Sequence, residues 1–105
     1  MTTENVSKTE KAVLRIDGEM TIYRATELKQ DLLVALDKTK ELEIDLAAVT
    51  ELDTAGVQIL MLLKRQALAT ECKLHLLAHS PPVLEVFELL NLAAYFGDPL
   101  VIPRH

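Results

Sequence analysis

The sequence predicts an α/β fold, a mixed sheet of four to five strands with three main side helices, and three observations lead there. Leu42, Ile44 and Leu46 alternate with Glu43 and Asp45, the period-two pattern of a half-buried strand. Ala25, Leu28, Leu32, Ala35 and Leu36 recur at helical spacing, with Glu27, Lys29, Gln30 and Asp31 on the opposite side. Between residues 42 and 78 a strand, a helix and a second apolar strand follow one another, a βαβ unit that implies a parallel pair with a right-handed crossover.

Taken in order, residues 1–10 read as a frayed leader of Thr, Glu, Asn, Ser and Lys, and residues 11–105 as a single domain. Ala12 to Ile16 forms a first strand, Asp17-Gly18 is a turn signal, and Glu19 to Ile22 forms a second short strand, which together predict a hairpin. A helix through Asp37 and a strand at Leu42–Leu46 come next. A second helix runs from about Ala55 to Ala69, followed by a strand at Lys73–Ala78. In Ser80-Pro81-Pro82, Ser80 is positioned to cap a third helix and Pro81 takes its first position, where the missing N–H does no harm. Val83, Leu84, Phe87 and Leu90 mark the inner face of that helix. Gly97-Asp98-Pro99 ends the pattern before a short last strand at Leu100-Val101-Ile102.

Composition narrows the function. Half of the residues are apolar and few are aromatic, so the core is built from aliphatic side chains. A formal net charge of −5 without a Lys/Arg cluster argues against nucleic acid, which requires grouped cations to neutralise phosphates. Cys72 is the single cysteine, so an internal disulfide is excluded and a reducing compartment, the cytoplasm, is the natural reading. The apolar segments are interrupted by charge well short of a membrane span. His75, His79 and His105 lack metal-ligand spacing, and the sequence contains no phosphate loop or nucleophile elbow, so neither a cofactor nor an enzymatic activity is read from it.

The most informative stretch is Glu51-Leu52-Asp53-Thr54-Ala55-Gly56-Val57, where a strand gives way to a helix. Asp53 and Thr54 stand where an N-cap belongs, at the positive end of a helix dipole, and Gly56 permits close backbone approach. Asp53 reads both as a helix cap and as the residue that orders a turn presented to a partner. Asp45 is either a second ordering acceptor or the polar edge of its strand. On the second helix, Gly56, Ile59, Leu60, Leu63 and Ala67 share the face that covers the sheet. Val57, Met61 and Leu68 form a second apolar stripe flanked by Lys64 and Arg65, which either packs on a neighbouring helix or binds a partner.

Ile44-Asp45-Leu46 followed by Asp53-Thr54-Ala55-Gly56 resembles the signature of the STAS domain, the sulfate-transporter and anti-sigma-factor-antagonist family, whose hallmark is an Asp-Ser-Ser-Gly-like turn opening a helix. The resemblance implies a non-enzymatic interaction module. In antagonists of the family the second Ser of the hallmark is phosphorylated by a partner serine kinase that is also the anti-sigma factor, and that position is Ala55 here. Thr54 is the remaining hydroxyl, where a phosphoryl group would add about −1.5 to −2 charge. The resemblance makes Asp53, Thr54, Ala55 and Gly56 the docking turn, and the helix stripe beside it, Val57 and Met61 with Lys64 and Arg65, then reads as the adjoining surface. It also leaves open an accessory subunit of an ABC-type phospholipid transporter ATPase, whose relatives show Asp-Thr-small-Gly, and a module of a chemotaxis-type signalling assembly. Relatives commonly finish with one more helix.

Overall fold

The computed structural model describes residues 8–97. It contains β1 (Ala12–Arg15), β2 (Gly18–Met20), α1 (Ala25–Asp37), β3 (Glu41–Asp45), β4 (Val49–Leu52), α2 (Thr54–Thr70), β5 (Lys73–Leu77), α3 (Pro81–Leu90) and α4 (Leu92–Phe96). The α/β class and the three main helices are those of the sequence reading. The last strand expected at Leu100-Val101-Ile102 lies outside the described residues.

The five strands divide between a three-stranded sheet, in the order β1-β3-β5, and a two-stranded sheet of β2 and β4. Each pairing is parallel. The βαβ reading of β3, α2 and β5 therefore holds, with Leu42 opposite Leu74 and Ile44 opposite Leu76. The expected hairpin of β1 and β2 does not form. Asp17-Gly18 acts as a bend, Gly18 taking a φ of +88°, and the chain passes from one sheet into the other while continuing forward alongside β3 and β4. Backbone bonds from Ile16 N to Asp45 O and from Gly18 N to Ala48 O, both 3.1 Å, carry the pairing through the bend. Arg15 lies opposite Asp45 and Met20 opposite Leu52, so the second ribbon holds two more residues than the first. One of the two enters in the connection between Asp45 and Val49, and the other at a bulge beside Gly18.

The sheet also begins earlier than the sequence suggested. Thr9, placed in the frayed leader, bridges to Thr39: Thr9 N donates to Lys38 O at 3.0 Å and Lys40 N donates to Thr9 O at 2.8 Å. Thr39 Oγ1 adds a bond to Thr9 O, which explains a buried threonine at the end of α1.

Alternation on β3 buries Leu42 and Ile44 completely, and β5 adds Leu74 and Leu76. Leu28, Leu32 and Leu36 of α1 and Ile59, Leu60, Leu63 and Ala67 of α2 complete one core, as the helical spacing predicted. On α3, Val83, Leu84 and Phe87 are buried, but Leu90 is exposed. Helix α3 ends there, Asn91 taking a left-handed conformation, and the chain turns into α4, where Leu92 and Phe96 supply the burial instead. Ser80 occupies the N-cap of α3, but its Oγ has no hydrogen-bond partner among the described residues. The next two residues are Pro81 and Pro82, which have no N–H to donate to it.

Candidate functional site

Asp53 is the N-cap of α2, with extended backbone angles of φ −107° and ψ −173°. Its Oδ1 accepts from Gly56 N at 3.0 Å, closing the first turn of the helix. Oδ2 accepts from Ile22 N, also at 3.0 Å, and so ties the helix start to the loop between β2 and α1. Desolvation pushes this carboxyl upward, but the backbone N–H groups of Ile22, Gly56, Ala55 and Asp53 itself outweigh it and hold the group below the ordinary aspartate value. Asp53 is thus an anion held by amides. Asp45 acts elsewhere: its Oδ1 accepts from Ala47 N at 2.9 Å and orders the connection from β3 to β4.

Gly56 is buried where two elements meet. A Cβ placed on it would run into the carbonyl oxygen of Met20 and lie 2.6 Å from Leu52 Cδ1. The same Met20 oxygen accepts from Asp53 N at 3.2 Å. The glycine therefore lets α2 begin against the end of β2, the close approach expected of it. The loop beyond β2 is held from its other side by Arg24, whose Nη1 donates to Asp17 O at 2.7 Å and to Glu19 O at 2.9 Å. Thr21 Oγ1 donates to the Glu19 carboxylate.

Between these anchors the surface is open. Thr54 is exposed, and its hydroxyl has no hydrogen-bond partner among the described residues, so it is not spent on a local cap. Ile22 is 68% exposed and Tyr23 89% exposed on the neighbouring loop. The sequence reading gave neither a place in the site, assigning Ile22 to a strand and Tyr23 no role. The alternation after Gly18 concealed that the strand ends at Met20. Ala55, Met61 and Arg65 follow along α2 and line a groove of about 740 Å³ between α1 and α2, with Ile22 at its mouth and Lys29 across it.

Two residues grouped with that surface by sequence point elsewhere. Val57 is 6% exposed and belongs to the core, so Val57, Met61 and Leu68 do not form one exposed stripe. Lys64, seven residues on and so on the same face as Val57, donates through Nζ to Phe96 O at 3.3 Å and fastens α4 to α2. The sequence showed apolar spacing but not the additional helix that occupies this side.

Among the described residues no group of three or more His, Cys, Asp and Glu side chains is arranged to hold a metal ion. No described helix is long and apolar enough to cross a membrane.

A family model described as "Mlab, STAS domain" matches residues 4–102. The chain belongs to the STAS domain family. The STAS assignment agrees with solved structures. One is an anti-sigma factor antagonist from Mycobacterium paratuberculosis, 26% identical, with a TM-score of 0.74 over 88% of this chain and 79% of that one. The anti-sigma factor antagonist SpoIIAA in its unphosphorylated form is 21% identical, with a TM-score of 0.70 over 89% and 83%. The STAS domain of a SulP transporter from Vibrio cholerae is 17% identical, with a TM-score of 0.65 over 87% and 74%. The STAS fold is thus common to antagonists and to a transporter domain, and the hallmark turn of this member stands at the start of α2.

Proposed function

We propose that this STAS domain is a non-enzymatic, cytoplasmic protein-interaction module similar to anti-sigma factor antagonists, and that the Asp53-Thr54-Ala55-Gly56 turn is its docking site. The observation that carries the reading is the pair of hydrogen bonds that Asp53 accepts from Gly56 N and Ile22 N, which joins the helix start and the β2–α1 loop into one surface. Thr54, Ile22 and Tyr23 project from that surface exposed. A tied backbone with free side chains suits recognition, since little order has to be created on binding. The partner in this reading is an anti-sigma factor with serine-kinase activity. The position of the usual phospho-acceptor is Ala55, which has no hydroxyl, so any phosphoryl transfer within the turn falls to Thr54.

A second reading, an accessory subunit that binds the ATPase of an ABC-type phospholipid transporter, is favoured by two observations. The hallmark carries Thr54 as its single hydroxyl, and the matching family model is that described for Mlab. Affinity capture with wild type and Thr54→Glu as matched, folded baits tests both. Recovery of a kinase-like anti-sigma factor that the substitution abolishes supports the first reading, and an ABC ATPase lost in the same way supports the second. A partner retained by Thr54→Glu removes the hallmark turn as the docking site.

A further inference from the structure

We propose that the seam between α1 and α2 is a docking groove for an acidic, amphipathic helix of a protein partner. The groove that opens at Ile22 and Ala55 continues into a second hollow of about 450 Å³, the two sharing Lys29 and Leu62. Together they follow α2 from Ala55 to Thr70, a span of about 22 Å at the helical rise, which matches a helix of about 15 residues. The floor is apolar, formed by Ile59, Met61 and Leu62 of α2 and Leu33 of α1. An apolar channel between two helices accepts the i, i+3, i+4 stripe of a third.

Charge selects the occupant. The protein carries a net charge of −5, yet the charged residues lining the wider part of the seam are Lys29 and Arg65, both exposed. Neither forms a salt bridge among the described residues, although Lys11, Arg15, Arg24 and Lys40 each do. Asp37 stands only at the far end. A cationic pair over an apolar floor matches an apolar stripe flanked by Glu or Asp, and it steers an acidic segment toward an otherwise acidic molecule. The proposal rests on the preceding reading only in taking the ligand to be a protein.

The test is a titration of the labelled full chain, followed by amide chemical shifts, with two helix-forming peptides of about 15 residues that carry the same Leu stripe, flanked in one by Glu and in the other by Lys. The Glu-flanked peptide is expected to give saturable shifts along α1 and α2. The Lys29→Glu/Arg65→Glu double variant should bind it about fivefold more weakly and prefer the Lys-flanked peptide. Equal response to both peptides, no saturable shift at the seam, or shifts there with phosphatidylglycerol vesicles but not with peptide would overturn the proposal. A partner captured through Thr54 while the seam ignores both peptides removes the groove and leaves the docking turn. A charge-reversed peptide response without a Thr54-dependent partner supports the groove and removes the turn.

Discussion

The carboxylate of Asp53 accepts the backbone N–H of Ile22 across thirty-one residues of sequence, at 3.0 Å. One side chain therefore does two things, closing the first turn of α2 and fixing the loop that enters α1. Replacing Asp53 with Ala should cost about 1–2 kcal/mol of stability, read as a lower midpoint in urea, because two backbone donors lose their acceptor. A midpoint unchanged from wild type would mean that water serves these donors equally well.

Acid should expose the same bond. The folded carboxyl lies below its ordinary value, so its contribution is fully present above about pH 4 and is lost as pH falls through the depressed folded value. The stability gap between wild type and Asp53→Asn is expected to be constant near neutrality and to narrow in that acid window. A gap independent of pH down to full protonation would remove the charge from the account.

Gly56→Ala places a methyl group against the Met20 carbonyl and Leu52, atoms fixed by the strand ends. A destabilisation of about 1–3 kcal/mol is expected from overpacking, measured by thermal or urea unfolding. A neutral result would show that β2 can yield at this point.

Thr54 and Val57 should separate binding from folding. Thr54 is exposed at the helix start, so Thr54→Glu is expected to change stability by no more than about 0.5 kcal/mol while abolishing partner capture. Val57→Glu puts an unpaired charge into the core and should cost more than about 3 kcal/mol, leaving little folded protein to assay. A well-folded Val57→Glu protein would contradict the packing of α2.

Cys72 is buried, and burial pushes its thiol up from the ordinary value. Thiol labelling at neutral pH should be slow in the native protein and fast in urea. Native labelling at the unfolded rate would mean that the end of α2 opens freely.

Much of the fold was legible because local pattern and burial agree. The helical i, i+4, i+8 spacing of Leu28, Leu32 and Leu36 and the alternation around Leu42 and Ile44 state which faces are inward, and those residues are buried. Asp17-Gly18 misled because the same dipeptide serves a hairpin or a bend, and only the distant partners β3 and β4 decide between them. Strand β4 escaped because its exposed centre, Thr50 and Glu51, breaks the alternation between Val49 and Leu52. In the candidate site, the cap at Asp53 and the close approach at Gly56 were readable from local chemistry. Ile22 and Tyr23 were not, since their place beside Thr54 depends on a contact with Asp53 that no local window contains. Val57 and Lys64 were assigned by helix spacing alone, which cannot foresee a packed α4.

The paired ribbons carry one more consequence, for the life of the chain during synthesis. Each parallel pairing joins residues about thirty apart, so β1 and β2 have no partner until β3 and β4 have emerged. The surface that combines Ile22 with Thr54 comes into being later still, with the first turn of α2. A protein that recognises both sides of this surface would ignore nascent and misfolded copies in which that first turn has not yet joined the loop.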